Sequence, residues 1–329
     1  MKVIRITKPG GPEVLEEADR PEPVAGPGEL KVRVRASALN RADLLQIRGH
    51  YPAPLDAPPD IPGLEYAGEV VAVGPRTHRF KVGDRVMGLV GGGAWSDVLV
   101  THEREALPIP EGMDFTDAAA LPEVYLTAYD ALVLQGGLKP GETVLVHAVA
   151  SGVGSAAALL CQASGARVVG TGRNAAKLAR ASEWGVEHTV LCESAPPRFA
   201  DAVRAVTGGR GADLCLDLVG GDYVPESMLA MTSRGRMVLV GLVAGARAEV
   251  NLGLLLTRRL SVTGTVLRSR PLEEKMALTQ SAERHLLPLF RSGALRPVVD
   301  AVLPKAELRQ GLERMARNDL VGKLVVRWG

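Results

Sequence analysis

Cysteine is scarce in this 329-residue chain: Cys161, Cys192 and Cys215 lie far apart and form no C-x-x-C pair. That argues against a disulfide framework or a zinc knuckle and suits a reducing compartment. Excess charge is also lacking. Lys and Arg total 39, Asp and Glu total 37, and the net charge of +2 is spread along the chain, so no face is built for a polyphosphate backbone and nucleic-acid binding is not expected. The N-terminal stretch has no apolar core of signal-peptide length, so the expected location is cytoplasmic. Internal repeats, low-complexity tracts and long charge runs are missing. The histidines His50, His78, His102, His147, His188 and His285 show no metal-ligand spacing. Neither paired carboxylates nor a Ser-His-Asp order stands out, which leaves nucleophilic catalysis with little support. Residues 143–166 carry no formal charge and are long enough to span a bilayer. Their Gly, Ser, His and Gln content and a strand-to-helix switch in the middle read instead as a buried βα unit, and no membrane role is expected.

Against these absences stands one concentrated signal. Val144 to Gly154 is an apolar strand entering a glycine turn, and the spacing predicts a helix over Ser155 to Ser164. A β-carbon at Gly152 or Gly154 would crowd the turn or hold the backbone away from a pyrophosphate resting on the helix N-terminus. Ala150 stands at the first glycine of G-x-G-x-x-G, so the candidate phosphate turn is Ala150, Ser151, Gly152, Val153 and Gly154. A second apolar strand, Arg167 to Thr171, completes a βαβ unit of about 30 residues. NAD sites usually place a carboxylate at the end of that strand for the ribose 2′-hydroxyl. Here the stretch holds Gly172, Arg173 and Asn174, with Lys177 one turn on, which favours a 2′-phosphate and hence NADPH.

The chain is long enough for two domains, with 46% hydrophobic residues available for burial. Before residue 121, alternating runs such as Lys31 to Ala36, Gly68 to Gly74 and Asp84 to Gly88, bounded by Gly and Pro clusters, predict a small β-rich domain. From Pro122 the pattern turns helical, with Tyr125 to Gln135 at helical spacing before Gly136 and Gly137. Strand candidates Asp213 to Val219, Met237 to Val243 and Leu260 to Val266 alternate with helix-like segments, which implies a doubly wound parallel sheet. A long helix is expected over Pro271 to Ser292. Strands at Val298 to Val302 and Lys323 to Arg327 are expected to rejoin the first domain. The fold class is therefore α/β, with residues 1–121 as a β-rich domain, 122–265 as a Rossmann domain and 266–329 as a returning segment.

Asn40 to Gln46 (NRADLLQ), Gly63 to Gly68 (GLEYAG), Gly83 to Val86 (GDRV), Ala150 to Gly154 (ASGVG) and Gly322 to Val325 (GKLV) resemble the medium-chain dehydrogenase/reductase superfamily over essentially the whole chain. Within it, the chain is similar to quinone oxidoreductases of the zeta-crystallin type. The segments Asn40 to Tyr51 and Val266 to Arg270 resemble the p53-inducible branch. The resemblance implies a GroES-like catalytic domain made from both chain ends, a Rossmann domain between them, NADPH, and a homodimer. It also implies cofactor contacts at Thr127, Leu267 and Asn318, and it places Cys192 where a family tyrosine helps hold the 2′-phosphate. Topology adds Val219, Gly220, Gly241, Leu242 and Val266, at the carboxyl ends of later strands.

Departures from the zinc alcohol dehydrogenases of that superfamily narrow the chemistry. Asn40 stands in place of a cysteine ligand, Leu64 in place of a histidine, and Gly91 to Trp95 in place of the four-cysteine lobe. Structural zinc needs about four N or S ligands and catalytic zinc about three, so no zinc is expected. Without a Lewis acid, simple alcohol oxidation loses its means of stabilising an alkoxide. Quinones and activated alkenes need less help, because hydride addition spreads charge onto an oxygen that hydrogen-bond donors can meet. Asn40 and Tyr51 are the expected catalytic polar groups. The expected activity is zinc-independent reduction of a quinone by NADPH. The alternatives are an enone or alkenal reductase and a non-catalytic, crystallin-like NADPH-binding protein.

Overall fold

The computed structural model describes residues Met1–Gly329. Its first part carries strands β1 (Lys2–Ile6), β2 (Leu15–Asp19), β3 (Glu29–Ala38), β4 (Glu65–Val73), β5 (Arg85–Leu89), β6 (Val98–His102) and β7 (Ala106–Pro108), with helices α1 (Arg41–Ile47), α2 (Phe115–Ala119) and α3 (Pro122–Tyr129). The middle alternates: β8 (Thr143–Val146), α4 (Gly152–Ala163), β9 (Arg167–Gly172), α5 (Ala175–Ala179), β10 (His188–Leu191), α6 (Ala200–Val206), β11 (Ala212–Asp217), α7 (Tyr223–Ala230), β12 (Met231–Leu239), α8 (Leu252–Arg258) and β13 (Ser261–Gly264). The end adds α9 (Leu272–Arg291), β14 (Val299–Pro304), α10 (Leu308–Ala316) and β15 (Lys323–Arg327).

Two compact units result. One comprises Met1–Leu126, Leu267–Gly293 and Pro297–Gly329; the other comprises Thr127–Val266 with Ala294–Arg296. Pro122 to Leu126, grouped with the middle of the chain by the sequence pattern, thus belong to the first unit.

In the first unit a seven-stranded sheet runs β14-β15-β3-β4-β5-β7, with β6 also paired to β3. Alternation along β3 decides its faces: Leu30, Val32, Val34 and Ala36 are buried, while Lys31, Arg33 and Arg35 are not. Leu30, Val32 and Val34 join Tyr66, Trp95, Leu312 and Leu324 in one core. The C-terminal β15 pairs antiparallel with β3, so both chain ends build the same sheet. Helix α9 presents Met276, Thr279, Ala282, Leu286, Leu287 and Phe290 as a buried stripe. At its end Phe290 meets Tyr125 edge-on, with ring centroids 4.9 Å apart.

The second unit holds a six-stranded sheet in the order β10-β9-β8-β11-β12-β13, with every neighbouring pair parallel. Numbered within the unit, this is the 3-2-1-4-5-6 order of dinucleotide-binding folds. Val144, Leu145 and Val146 are fully buried, as expected of a central strand covered on both faces. Helix α4 begins at Gly152, three residues before the apolar spacing suggested, because Ser151 serves as its N-cap. Helix α3 starts at Pro122 and passes into a π-helical segment, Asp130–Gln135, rather than continuing as one α-helix. The edge strand β13 is shorter than expected and spans only Ser261–Gly264.

Candidate active site

A buried polar cluster forms in the first unit where β3, β4, α1, α3 and β15 converge. The Lys323 ammonium lies 2.6 Å from Glu65 Oε1 and donates to Asn40 Oδ1 at 2.5 Å and to the Leu39 carbonyl at 3.1 Å. The Asn40 amide donates to Glu65 Oε1 at 2.9 Å and to the Ala38 carbonyl at 3.3 Å. Glu65 Oε2 accepts the Glu123 backbone N–H at 2.8 Å. Asp43, in the first turn of α1, accepts the backbone N–H of Asn40 at 2.7 Å and that of Gly63 at 3.3 Å.

This geometry corrects the role expected of Asn40. Both of its amide hydrogens are committed to protein acceptors and its side chain is buried, so none is left for a substrate oxygen. Asn40 holds Glu65 in place.

Electrostatics set the remaining acids apart. Burial pushes the Asp43 carboxyl up to about 7, against the pull of its backbone donors and Lys323. Glu123 is also raised. Dehydration is the main cause, opposed by Lys323 and reinforced by the neighbouring Glu65 and Asp43. Glu123 sits in the first turn of α3 and remains partly accessible, and no protein donor bonds its carboxyl.

Tyr51 follows α1 and is half-buried. The Arg268 guanidinium stands over its ring at 4.9 Å and donates to the Tyr51 carbonyl at 3.0 Å, the Gly91 carbonyl at 2.8 Å and Gln46 Oε1 at 2.6 Å. A residue late in the sequence thus fixes two early loops. Burial raises the Tyr51 phenol above its ordinary value, Arg268 opposes that, and the Glu123 carboxylate adds to it. The phenol therefore stays protonated and able to donate at neutral pH.

In the second unit, Ser151 Oγ accepts the Gly154 N–H at 3.1 Å. Helix geometry leaves the N–H groups of Gly152 and Val153 without intrahelical acceptors. A β-carbon on Gly154 would lie 2.4 Å from the Ala148 carbonyl, so only glycine permits this close contact of helix and strand. Positive φ in the turn falls at Ala148 (φ 48), not at Ala150, which is why Ala150 can replace the usual glycine. The turn therefore offers the donor cradle and dipole that a pyrophosphate needs. At the end of β9, Gly172 leads to the exposed Arg173, and Asn174 caps α5 by accepting the Lys177 N–H at 3.1 Å. No carboxylate stands among these four residues.

Farther along the sheet, Asp217 Oδ1 accepts the N–H groups of Val219 and Gly220 at 2.8 and 2.9 Å. Its other oxygen is buried without a partner. A β-carbon on Gly241 would meet the Leu218 carbonyl at 2.4 Å. Leu242 and Val266 are exposed, while Leu267 and Thr127 are buried. Asn318 has φ 56 and accepts from Arg41 Nη2 at 2.5 Å.

Cys192 is buried, with its thiol turned to the Val190 carbonyl at 3.7 Å. Beside it lies Tyr223 of α7, within electrostatic reach of Arg173. His147 is a hydrogen-bonded core residue. Nδ1 bonds Thr171 Oγ1 at 2.8 Å, Nε2 bonds Ser227 Oγ at 2.7 Å, and burial lowers the imidazole to about 4.

A β-rich domain closed by both chain ends, together with a dinucleotide-type parallel sheet, defines a two-domain dehydrogenase-like protein. Family models agree: one for the alcohol dehydrogenase GroES-like domain matches residues 26–111, and one for zinc-binding dehydrogenase matches residues 152–283. A quinone oxidoreductase of Pseudomonas aeruginosa is 34% identical over 99% of this chain and 99% of its own. The synaptic vesicle membrane protein VAT-1 homolog of Rattus norvegicus is 33% identical over 99% of this chain and 84% of its own. Among solved structures, a mycobacterial protein complexed with NADPH has a TM-score of 0.89 at 28% identity, covering 100% of both chains. The CurK enoyl reductase has a TM-score of 0.86 at 27% identity, covering 99% of this chain and 98% of that one. The chain belongs to the medium-chain dehydrogenase/reductase superfamily.

The zinc in the name of the matched family does not fit the residues present. Glu65 is bound by an ammonium and an amide, Leu64 has no donor atom, and no three His, Cys, Asp or Glu side chains are placed to share an ion. No helix is long and apolar enough to cross a membrane.

Proposed function

We propose that this oxidoreductase reduces quinones with NADPH and without zinc. The observation that supports the reading is the Lys323–Glu65–Asn40 cluster, in which a buried ammonium occupies Glu65 and the asparagine that stands in place of a cysteine ligand. An acceptor that needs no Lewis acid suits such a site. When bound, NADPH supplies hydride from its nicotinamide ring. Ser151, Gly152, Val153 and Gly154 hold the pyrophosphate through backbone N–H groups and the helix dipole. Arg173 and Lys177 meet the 2′-phosphate. Thr127, Val219, Gly220, Gly241, Leu242, Val266, Leu267 and Asn318 contact the remainder of the cofactor, and Cys192 underlies the phosphate end. Tyr51 donates a hydrogen bond to the acceptor oxygen as negative charge develops there, and Arg268 fixes its ring.

We further propose a cytoplasmic homodimer. Every residue of the edge strand β13 is exposed, and Leu252 and Leu256 of the adjacent α8 are 67% and 75% exposed, a surface suited to a second copy across a twofold axis.

The test is NADPH oxidation with a benzoquinone, an ortho-quinone, an unsaturated ketone and ethanol as acceptor or substrate. Quinones should dominate and ethanol should give nothing. Dominance of the ketone would transfer the assignment to an enone reductase, a reading favoured by the likeness to an enoyl reductase. Binding of NADPH with no turnover on any acceptor would favour a non-catalytic binding protein.

A further inference from the structure

We propose that Glu123 is a catalytic proton carrier, whose carboxyl supplies the proton that completes reduction of the acceptor. The inference rests on the oxidoreductase reading above and adds a residue and a step to it.

Three carboxyls, Asp43, Glu65 and Glu123, surround a single ammonium, Lys323. Lys323 pairs with Glu65 at 2.6 Å, and Asn40 bonds the same oxygen. Asp43 is fully buried and held by two backbone N–H groups. Glu123 differs from both. No protein donor bonds its carboxyl, it is partly accessible, and it lies within electrostatic reach of Tyr51. One cation cannot neutralise three nearby anions in a dehydrated site, so the least stabilised acid keeps its proton. That acid is the only one of the three with any solvent access.

Around Glu123 stand Lys323 of β15, Glu65 of β4, Asp43 of α1 and Tyr51 after α1; Arg268 faces Tyr51. Lys323 favours the ionised form of Glu123, and Glu65 and Asp43 oppose it.

The step balances. Hydride brings two electrons and one hydrogen to the quinone and leaves a hydroquinone anion. The Glu123 O–H bond breaks, a new O–H bond forms on that anion, directly or through the Tyr51 hydroxyl, and Glu123 is left as carboxylate. A solvent proton restores it. Tyr51 ends as it began, having accepted one proton and given one.

The experiment compares wild type, Glu123→Gln and Glu123→Asp in full-length protein. Glu123→Gln should lower kcat with benzoquinone by about 10²–10⁴-fold, the usual contribution of a positioned acid, and remove an alkaline inflection of the wild-type rate. The deficit should shrink for halogenated quinones, whose more stable anions need the proton less. Glu123→Asp should regain part of the rate together with the inflection. Independently of turnover, infrared difference spectra between acid and alkaline pH should show a protonated-carboxyl band in wild type that is lost in Glu123→Gln. NADPH fluorescence titration should give unchanged affinity, which shows that the fold and cofactor site persist. Wild-type turnover with an unaltered rate, pH profile and infrared band in Glu123→Gln overturns this inference alone. If wild type binds NADPH but reduces no quinone or enone, the functional reading falls and takes this step with it.

Discussion

The Lys323 ammonium and the Glu65 carboxylate lie 2.6 Å apart with both side chains sealed from solvent. Removing one partner strands the other charge in a dehydrated site, a change that typically costs about 3–5 kcal/mol. Lys323→Met should therefore lower the urea midpoint sharply, and adding Glu65→Gln should restore much of it. A single variant as stable as wild type would show that the pair does not hold this core together.

Arg268 tests the same unit from the other end of the chain. Arg268→Met removes three hydrogen bonds and leaves two carbonyls and the Gln46 amide oxygen short of donors. At roughly 1–3 kcal/mol for each buried group left unpaired, a clear fall in Tm is expected. The KM for quinone should rise with it, because Tyr51 loses the cation over its ring. Arg268→Lys should recover charge but not the three-way bonding, since an ammonium lacks the guanidinium fork. Equal KM values in wild type and Arg268→Met would separate Arg268 from the positioning of Tyr51.

Cofactor preference is checked at Arg173 and Lys177. Replacing both by Ala should raise the NADPH dissociation constant by about 10²-fold or more, given roughly 1.5–3 kcal/mol for each hydrogen bond to a charged group. NADH binding should change little. Fluorescence titration with both cofactors decides it, and equal weakening of the two would remove the 2′-phosphate assignment.

His147 predicts a pH effect on stability. Its folded pKa, lowered to about 4 by burial, lies below the ordinary 6.5. The unfolded chain therefore binds the extra proton first, and stability is lost as pH falls from 6.5 towards 4, by something of the order of 3 kcal/mol. Asp43 acts in the opposite sense. Raised from 3.8 to about 7, it contributes stability at low pH that is lost as pH rises through that interval. Glu105 and Glu123 are raised in the same sense as Asp43, so the acids outweigh the one imidazole and wild type should lose stability as pH rises from 4 to 6.5. His147→Asn, although less stable throughout, should become more stable relative to wild type as pH falls. Parallel Tm profiles for the two proteins would contradict this.

The edge strand gives a prediction on assembly. Val262 on β13 is 44% exposed, and Val262→Lys should convert a dimer into a monomer by light scattering while leaving the Tm of the dissociated chain little changed. A wild-type chain that is monomeric at all concentrations would overturn the homodimer proposal.

Much of the architecture was legible because local chemistry and tertiary structure agree. The alternating β3, the apolar β8 and the glycine turn each need a particular periodicity or a missing β-carbon, and both are written in consecutive residues. Helix α10 went unpredicted although Leu308, Leu312 and Met315 stand at helical spacing. Ser151 likewise announced the true start of α4. At the candidate active site the sequence pointed to Asn40 and Tyr51 but not to Glu123, Arg268 or Lys323 as their partners. Nor did it pair Tyr223 with Cys192 and Arg173. These partners lie tens to hundreds of positions away, and no local pattern marks a lone acid or a lone arginine as part of a site.

The sequence by itself determined the two-part α/β organisation and the presence of Asn40 and Leu64, neither a cysteine nor a histidine, because periodicity, turn glycines and donor atoms are properties of residue types in order. It also determined the cationic, carboxylate-free stretch after β9. Only the tertiary structure decided which charges share one dehydrated space. Folding β15 against β3 brings Lys323 to Glu65, and that choice of partner satisfies Glu65, occupies Asn40 and leaves Glu123 without a donor. The energy of a buried charge depends on its neighbours in space, which chain order does not specify.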